Sequence, residues 1–196
     1  MQVMSTDVIT KKLFTVDEFQ RMGDAGILPD GRRYELIRGE VIEMSLPGSP
    51  HAGRVKRLTW LFNRKIGDAA LISVQDPVVL GLHSMPVPDI ALLQPRADFY
   101  TSAHPKPEDV LLLVEVANTS LKSDRTVKAE LYAEAGISEY WLLDIHGDAL
   151  IVHSNPKNGS YQNVITLGRD HTVTPHRLGI VFRVDEILGD LPSSSA

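Results

Sequence analysis

Two apolar runs, each broken by a single carboxylate, constrain this chain more than any other feature. The first is Met85-Pro86-Val87-Pro88-Asp89-Ile90-Ala91-Leu92-Leu93, and the second is Val110-Leu111-Leu112-Leu113-Val114-Glu115-Val116. Both read as strands, along which side chains alternate between faces. Asp89 then shares a face with Val87, Ala91 and Leu93, while Glu115 shares one with Leu111 and Leu113. Each acid stands where an aliphatic side chain belongs. An ionised carboxylate buried without a partner is costly, so each needs a cation, strong hydrogen-bond donors or a shifted pKa. A divalent metal bridging the two strands satisfies both at once.

The segment that follows supplies further partners. Asn118, Thr119 and Ser120 form a polar turn, and residues 124–135 read as a helix ended by Gly136. Val127, Leu131 and Ala135 make its apolar stripe, which Lys128 borders, stacked against Leu131 and Tyr132 three and four positions on. From there a long cation can reach a carboxylate pair on the adjoining sheet. A third strand, residues 139–144, comes next.

Composition narrows the ligand chemistry. The chain has no cysteine, which excludes disulfides and thiolate metal sites and leaves carboxylate or histidine ligation. Oxygen ligands favour magnesium or manganese. With 196 residues, 43% of them hydrophobic and 23% charged, one globular domain is expected. No apolar run approaches the ~20 residues that span a bilayer, and residues 1–12 lack a secretory pattern, so a soluble, cytoplasmic protein with no membrane contact is the expectation. A net charge of −5 argues against a constitutively basic nucleic-acid surface. Arg54, Lys56, Arg57, Arg64 and Lys65 are the candidates for a local basic cluster, or else a solvated helix face.

The remaining chain surrounds this centre. Thr15 and Glu18 form the signature of a capping box, with Val16, Phe19 and Met22 on one helix side. Residues 33–37 and 40–44, joined by Arg38-Gly39, suggest a hairpin. Glu35, with Arg33 and Ile37 on its face, is either an edge-strand charge paired with an arginine or an additional acid of the site. Glu40 and Glu43 read as solvent-facing. Residues 51–66 carry Val55, Leu58, Leu61, Phe62 and Ile66 at helical spacing, and His51 opens that helix, where it contacts phosphate or water or simply hydrogen-bonds the terminus. Residues 70–80 and 86–93 are strand candidates joined through 81–84. Gln75 either faces the site or is an ordinary polar residue of its strand. Residues 94–109 form a proline-rich loop. Residues 149–154, 161–166 and 172–175 suggest a meander, and 182–188 a last element. His153, His171 and His176 lack metal-ligand spacing and read as surface or packing residues. Tyr140 and Trp141 fit either a homodimer interface or a buried strand.

Several of these stretches together resemble a family of uncharacterised restriction-endonuclease-like proteins in the PD-(D/E)XK nuclease superfamily. They are Tyr34-Glu35-Leu36-Ile37-Arg38-Gly39-Glu40, His51, Pro88-Asp89-Ile90-Ala91, Leu113-Val114-Glu115-Val116, Lys128 with Tyr132, and Ala135-Gly136-Ile137-Ser138-Glu139-Tyr140-Trp141. The resemblance implies an α/β fold with a restriction-endonuclease-like mixed sheet flanked by helices and extended by antiparallel strands. Its domain would occupy residues 13–188, between a flexible start at 1–12 and a tail at 189–196. It further implies that Asp89 and Glu115 hold Mg²⁺ or Mn²⁺, that a lysine assists the attacking water, that Glu35 joins the catalytic set and His51 the substrate, and that the partner is nucleic acid, namely DNA. The superfamily places its lysine two residues after the glutamate, where this chain has Ala117, so the resemblance points to Lys128, with Lys122 as the local alternative. The rival readings are a binding or assembly protein in which Asp89, Glu115 and Lys128 form a buried ion-pair network without metal, and a hydrolase of another phosphate ester.

Overall fold

The acid-bearing run at 110–117 is apolar at almost every position because it becomes a central strand covered on both faces. In the computed structural model, which describes residues 10–117 and 124–189, Val110–Ala117 is fully buried and forms β5 of a six-stranded mixed sheet. In chain order the elements before it are α1 (Val16–Asp24), β1 (Arg33–Ile37), β2 (Glu40–Met44), α2 (Ser49–Ile66), β3 (Leu71–Val74) and β4 (Ile90–Leu93). After it come a π-helical turn (Asp124–Lys128) that runs into α3 (Ala129–Glu134), then β6 (Glu139–Asp144), β7 (Ala149–Lys157), β8 (Ser160–Leu167), β9 (Thr172–Val173), β10 (Phe182–Arg183) and α4 (Val184–Leu188). The large sheet has the order β3-β4-β5-β6-β7-β8. Only β5 and β6 run parallel. A parallel pair needs a crossover connection, and this one carries α3.

The two faces of the sheet bury different layers. On one, Ile90, Leu92, Val114, Val116, Trp141 and Leu143 pack against Val55, Leu58 and Phe62 of α2 and Val184 and Ile187 of α4. Phe182 meets Phe62 edge-on, ring centroids 5.5 Å apart. On the other, Ala91, Leu113, Ala117, Tyr140 and Leu142 pack against Ala129 and Tyr132 of α3. Tyr140 and Trp141 are both completely buried, so they belong to the strand core and are unavailable to a dimer interface.

Local irregularities correct the simple alternation expected from sequence. Leu92 lies opposite Leu112 but Leu93 lies opposite Val110, so Leu111 is an extra residue, a β-bulge. Leu111 consequently packs on the face opposite Glu115 and does not share its side. Regular pairing in β4 starts only at Ile90, because Pro86 and Pro88 have no amide to donate. Residues 84–86 nevertheless still line up with 78–80, where Val78 N donates to Pro86 O at 3.0 Å and Leu80 N to Ser84 O at 2.9 Å. Pro105 is buried within the otherwise exposed or half-buried stretch 95–107, and Val79 N donates to its carbonyl.

Around the sheet, the Thr15–Glu18 capping box forms as the sequence predicts. α2 begins two residues earlier than expected, at Ser49, with Pro50 in the first turn, where its missing amide costs nothing. Arg57 and Lys65 of α2 both bind Glu186, one at its carbonyl and the other at its carboxylate, and Arg64 stacks over Trp60 at 4.7 Å. His153 is buried and stacks on Tyr140 at 5.0 Å, whereas His171 and His176 are exposed. Glu40 and Glu43 face solvent, paired with Lys11 and Arg32. Among the described residues no helix is long and apolar enough to cross a membrane. The polar turn at 118–120, Lys122, and residues 1–9 and 190–196 of the segments expected to be flexible lie outside the described residues.

Candidate active site

Antiparallel pairing of β4 with β5 sets Ile90 opposite Val114 and Ala91 opposite Leu113, which carries Asp89 toward Glu115. The Asp89 backbone amide donates to Glu115 Oε2 at 3.3 Å, and the Val116 amide donates to Asp89 Oδ2 at 2.9 Å. Each acid is therefore held by the backbone beside the other. Both are buried.

Besides Lys128, three side chains from elsewhere reach Asp89 and Glu115. His51, in the first turn of α2, sets Nε2 2.9 Å from Asp89 Oδ2. Gln75 donates Nε2 to Asp89 Oδ1 at 3.1 Å, and its own amide to the Asp89 carbonyl. Tyr132 donates its hydroxyl to Glu115 Oε1 at 2.7 Å. Burial pushes the Asp89 carboxyl upward. The hydrogen bond and charge of His51, with the Val116 and Gln75 amides, outweigh that and hold it below its ordinary value. The Tyr132 hydroxyl goes the other way, raised far above its usual value by burial and then by the Glu115 charge, so it stays a donor.

Lys128 is the cation of the site. Its Nζ lies 2.9 Å from Glu115 Oε1 and 3.5 Å from Glu35 Oε2. Glu35 also accepts the Val87 amide at 3.3 Å. As an edge-strand charge alone Glu35 would pair with an arginine, but among the described residues its ion pair is with Lys128. The stripe expected on the following helix keeps Leu131 buried but changes at its start. Val127 is 39% exposed and Lys128 8%, because the chain enters α3 through a π turn, whose wider winding changes which residue points inward. Ala117, at the superfamily's lysine position, is sealed into the core and offers no polar group.

Asp89, Glu115, Lys128, Glu35 and His51, singled out in the sequence, thus meet in one place. Gln75 joins them more firmly than its sequence suggested. Its signal was a polar residue interrupting an apolar run, and its backbone adopts φ +56°, a conformation uncommon outside glycine and frequent at functional sites. Among the described residues no group of three or more His, Cys, Asp or Glu side chains is arranged to hold a metal by itself. The donor set nonetheless fits a hard cation that keeps water and substrate oxygens as its other ligands, since Mg²⁺ is commonly held by one or two carboxylates. Asp89 is suited to such a role: its three recorded donors leave an acceptor position on a carboxylate with about four.

A family model described as "Uma2: Putative restriction endonuclease" matches residues 16–185. Among solved structures, a "putative nuclease belonging to DUF820" from Anabaena variabilis superposes with a TM-score of 0.70 at 18% identity, over 89% of this chain and 97% of that one. At that identity the likeness is one of fold. No curated protein matches the chain.

Proposed function

The chain belongs to the Uma2 family of restriction-endonuclease-like proteins, and on that footing we propose that it is a metal-dependent endonuclease that hydrolyses phosphodiester bonds in DNA. The observation that carries the proposal is the convergence of Asp89 and Glu115 from adjacent strands, with Lys128 on Glu115. A bound Mg²⁺ or Mn²⁺ on Asp89 and Glu115 would lower the pKa of its water and neutralise charge on the phosphate. Lys128 orients the attacking water and opposes the negative charge that develops on the phosphate. Tyr132 fixes the Glu115 carboxylate, and the Val116 amide, Gln75 and His51 fix that of Asp89.

Purified protein incubated with Mg²⁺ or Mn²⁺ on single- and double-stranded DNA and RNA is expected to cleave DNA. Titration calorimetry should show metal binding that is lost in Asp89→Asn and Glu115→Gln. Equal metal affinity in all three proteins would remove this site from the reading.

A second reading, a binding or assembly protein that keeps the nuclease fold, draws on the same contacts. Lys128 lies between Glu115 and Glu35 and His51 lies on Asp89, so the acids have cationic or donor partners without a metal. It requires a wild type that neither binds Mn²⁺ nor cleaves nucleic acid.

A further inference from the structure

Arg33 opens β1 and shares its strand face with Glu35. Its Nη2 is buried and has no hydrogen-bond partner among the described residues. That is an unusual condition for a permanently charged group with five donors, since a buried donor left unsatisfied is costly. The neighbouring arginines are engaged: Arg32 with Glu43 and Arg38 with Glu134, each at 2.8 Å. Among the described residues Arg33 has no such partner, although Glu35, Asp89 and Glu115 all lie on this side of the molecule, where they are matched with Lys128 and His51.

Strand direction gives this donor its meaning. Leu36 and Met85 exchange both backbone hydrogen bonds, at 3.2 and 2.7 Å, as an antiparallel bridge. The Val87 amide then reaches the Glu35 side chain, so β1 runs beside residues 85–87 in the opposite sense. Three residues back from Leu36 is Arg33; three residues on from Met85 is Pro88, followed by Asp89. The same strand that delivers Glu35 to Lys128 therefore carries Arg33 toward the acidic end of the site.

We propose that Arg33 is a phosphate-binding residue of this site, its guanidinium donating to a non-bridging oxygen of the nucleic-acid backbone. The proposal rests on the nuclease reading above and adds the group that holds the substrate. A planar guanidinium matches phosphate geometry. A chain of net charge −5 also needs cations placed at the site itself if it is to hold a polyanion.

The test is fluorescence anisotropy with labelled double-stranded DNA, Ca²⁺ replacing Mg²⁺ or Mn²⁺, across a salt series, on wild type, Arg33→Met and Arg33→Lys. Thermal melts accompany each variant. Arg33→Met is expected to bind at least about tenfold more weakly and to flatten the slope of log affinity against log salt by ~0.9, the contribution of one phosphate contact. Arg33→Lys should keep the slope and lose part of the affinity, because an ammonium is a point charge. Arg33→Met should melt no lower than wild type, since it removes an unsatisfied buried donor. A melt that drops together with binding would make Arg33 structural and overturn the proposal. Unchanged affinity and slope in a protein that still cleaves DNA would overturn it while leaving the nuclease reading in place. A wild type that neither binds nor cleaves nucleic acid would overturn both.

Discussion

Lys128 bears on stability and, in the proposed mechanism, on chemistry as well. Its ammonium is the cation between two buried carboxylates, Glu115 and Glu35. Removing one member of a buried charge group typically costs about 3–5 kcal/mol, because the charges left behind keep their desolvation penalty. Lys128→Ala is therefore expected to lower stability by that order in urea unfolding, and cleavage should be compared at a temperature where the variant is fully folded. There the rate should fall ~10²–10³-fold, the usual consequence of losing an electrostatic stabiliser. Unchanged stability would mean that Lys128 does not balance the acids, and unchanged cleavage would take it out of the mechanism. The same residue illustrates a limit of reading sequence. Helical periodicity placed Lys128 beside an apolar stripe, whereas the π turn puts it inside and Val127 outside.

The β1–β2 hairpin holds Glu35 at Lys128, and its turn decides whether it can. Ile37 and Glu40 pair across Arg38-Gly39, both of which have positive φ, 49° and 81°, as a tight two-residue hairpin requires. A Cβ on Gly39 would sit 2.6 Å from Leu13 Cβ. Gly39→Ala should therefore cost ~1–3 kcal/mol for the backbone and a comparable amount for the overlap. Arg38→Ala, which removes only exposed pairs to Glu134 and Glu130, should stay within about 1 kcal/mol. Urea unfolding of both variants checks the contrast, and hydrogen exchange at the Leu36 and Met85 amides reports whether the hairpin has left its bridge. A larger loss in Arg38→Ala than in Gly39→Ala would mean that the surface ion pairs, not the close approach at the turn, hold this element.

For the whole molecule, a sheet covered on both faces predicts that its central residues dominate stability and that the outer face of α2 contributes little. The two tryptophans report on this separately. Trp141 is completely buried between layers, with its Nε1 donating to the buried Glu139 at 2.7 Å, while Trp60 is 56% exposed. Trp141→Ala is expected to lose about 3–5 kcal/mol, and Trp60→Ala about 0.5 or less. In fluorescence, Trp60→Phe should leave one blue-shifted emitter that iodide barely quenches, and Trp141→Phe one red-shifted emitter that it quenches readily. The reverse assignment would contradict the layered arrangement.

The sequence by itself determined what depends on neighbours along the chain. The capping box at Thr15, the Arg38-Gly39 hairpin, the apolar periodicity of α2 and the buried run of β5 are all short-range patterns, and each became the expected element. It also marked Asp89 and Glu115, since a carboxylate in an apolar run is conspicuous without a structure. Only the tertiary structure decided what those acids touch. Strand register, with Ile90 opposite Val114, brings the two together, and Gln75 and His51 arrive on Asp89 from 14 and 38 residues away. A bulge turns Leu111 to the other face, and a π turn brings Lys128 inward. The physical reason is common to these cases. Which way a side chain points depends on every residue of winding or register before it, and one extra residue, stabilised by packing against distant parts of the chain, is enough to reverse it.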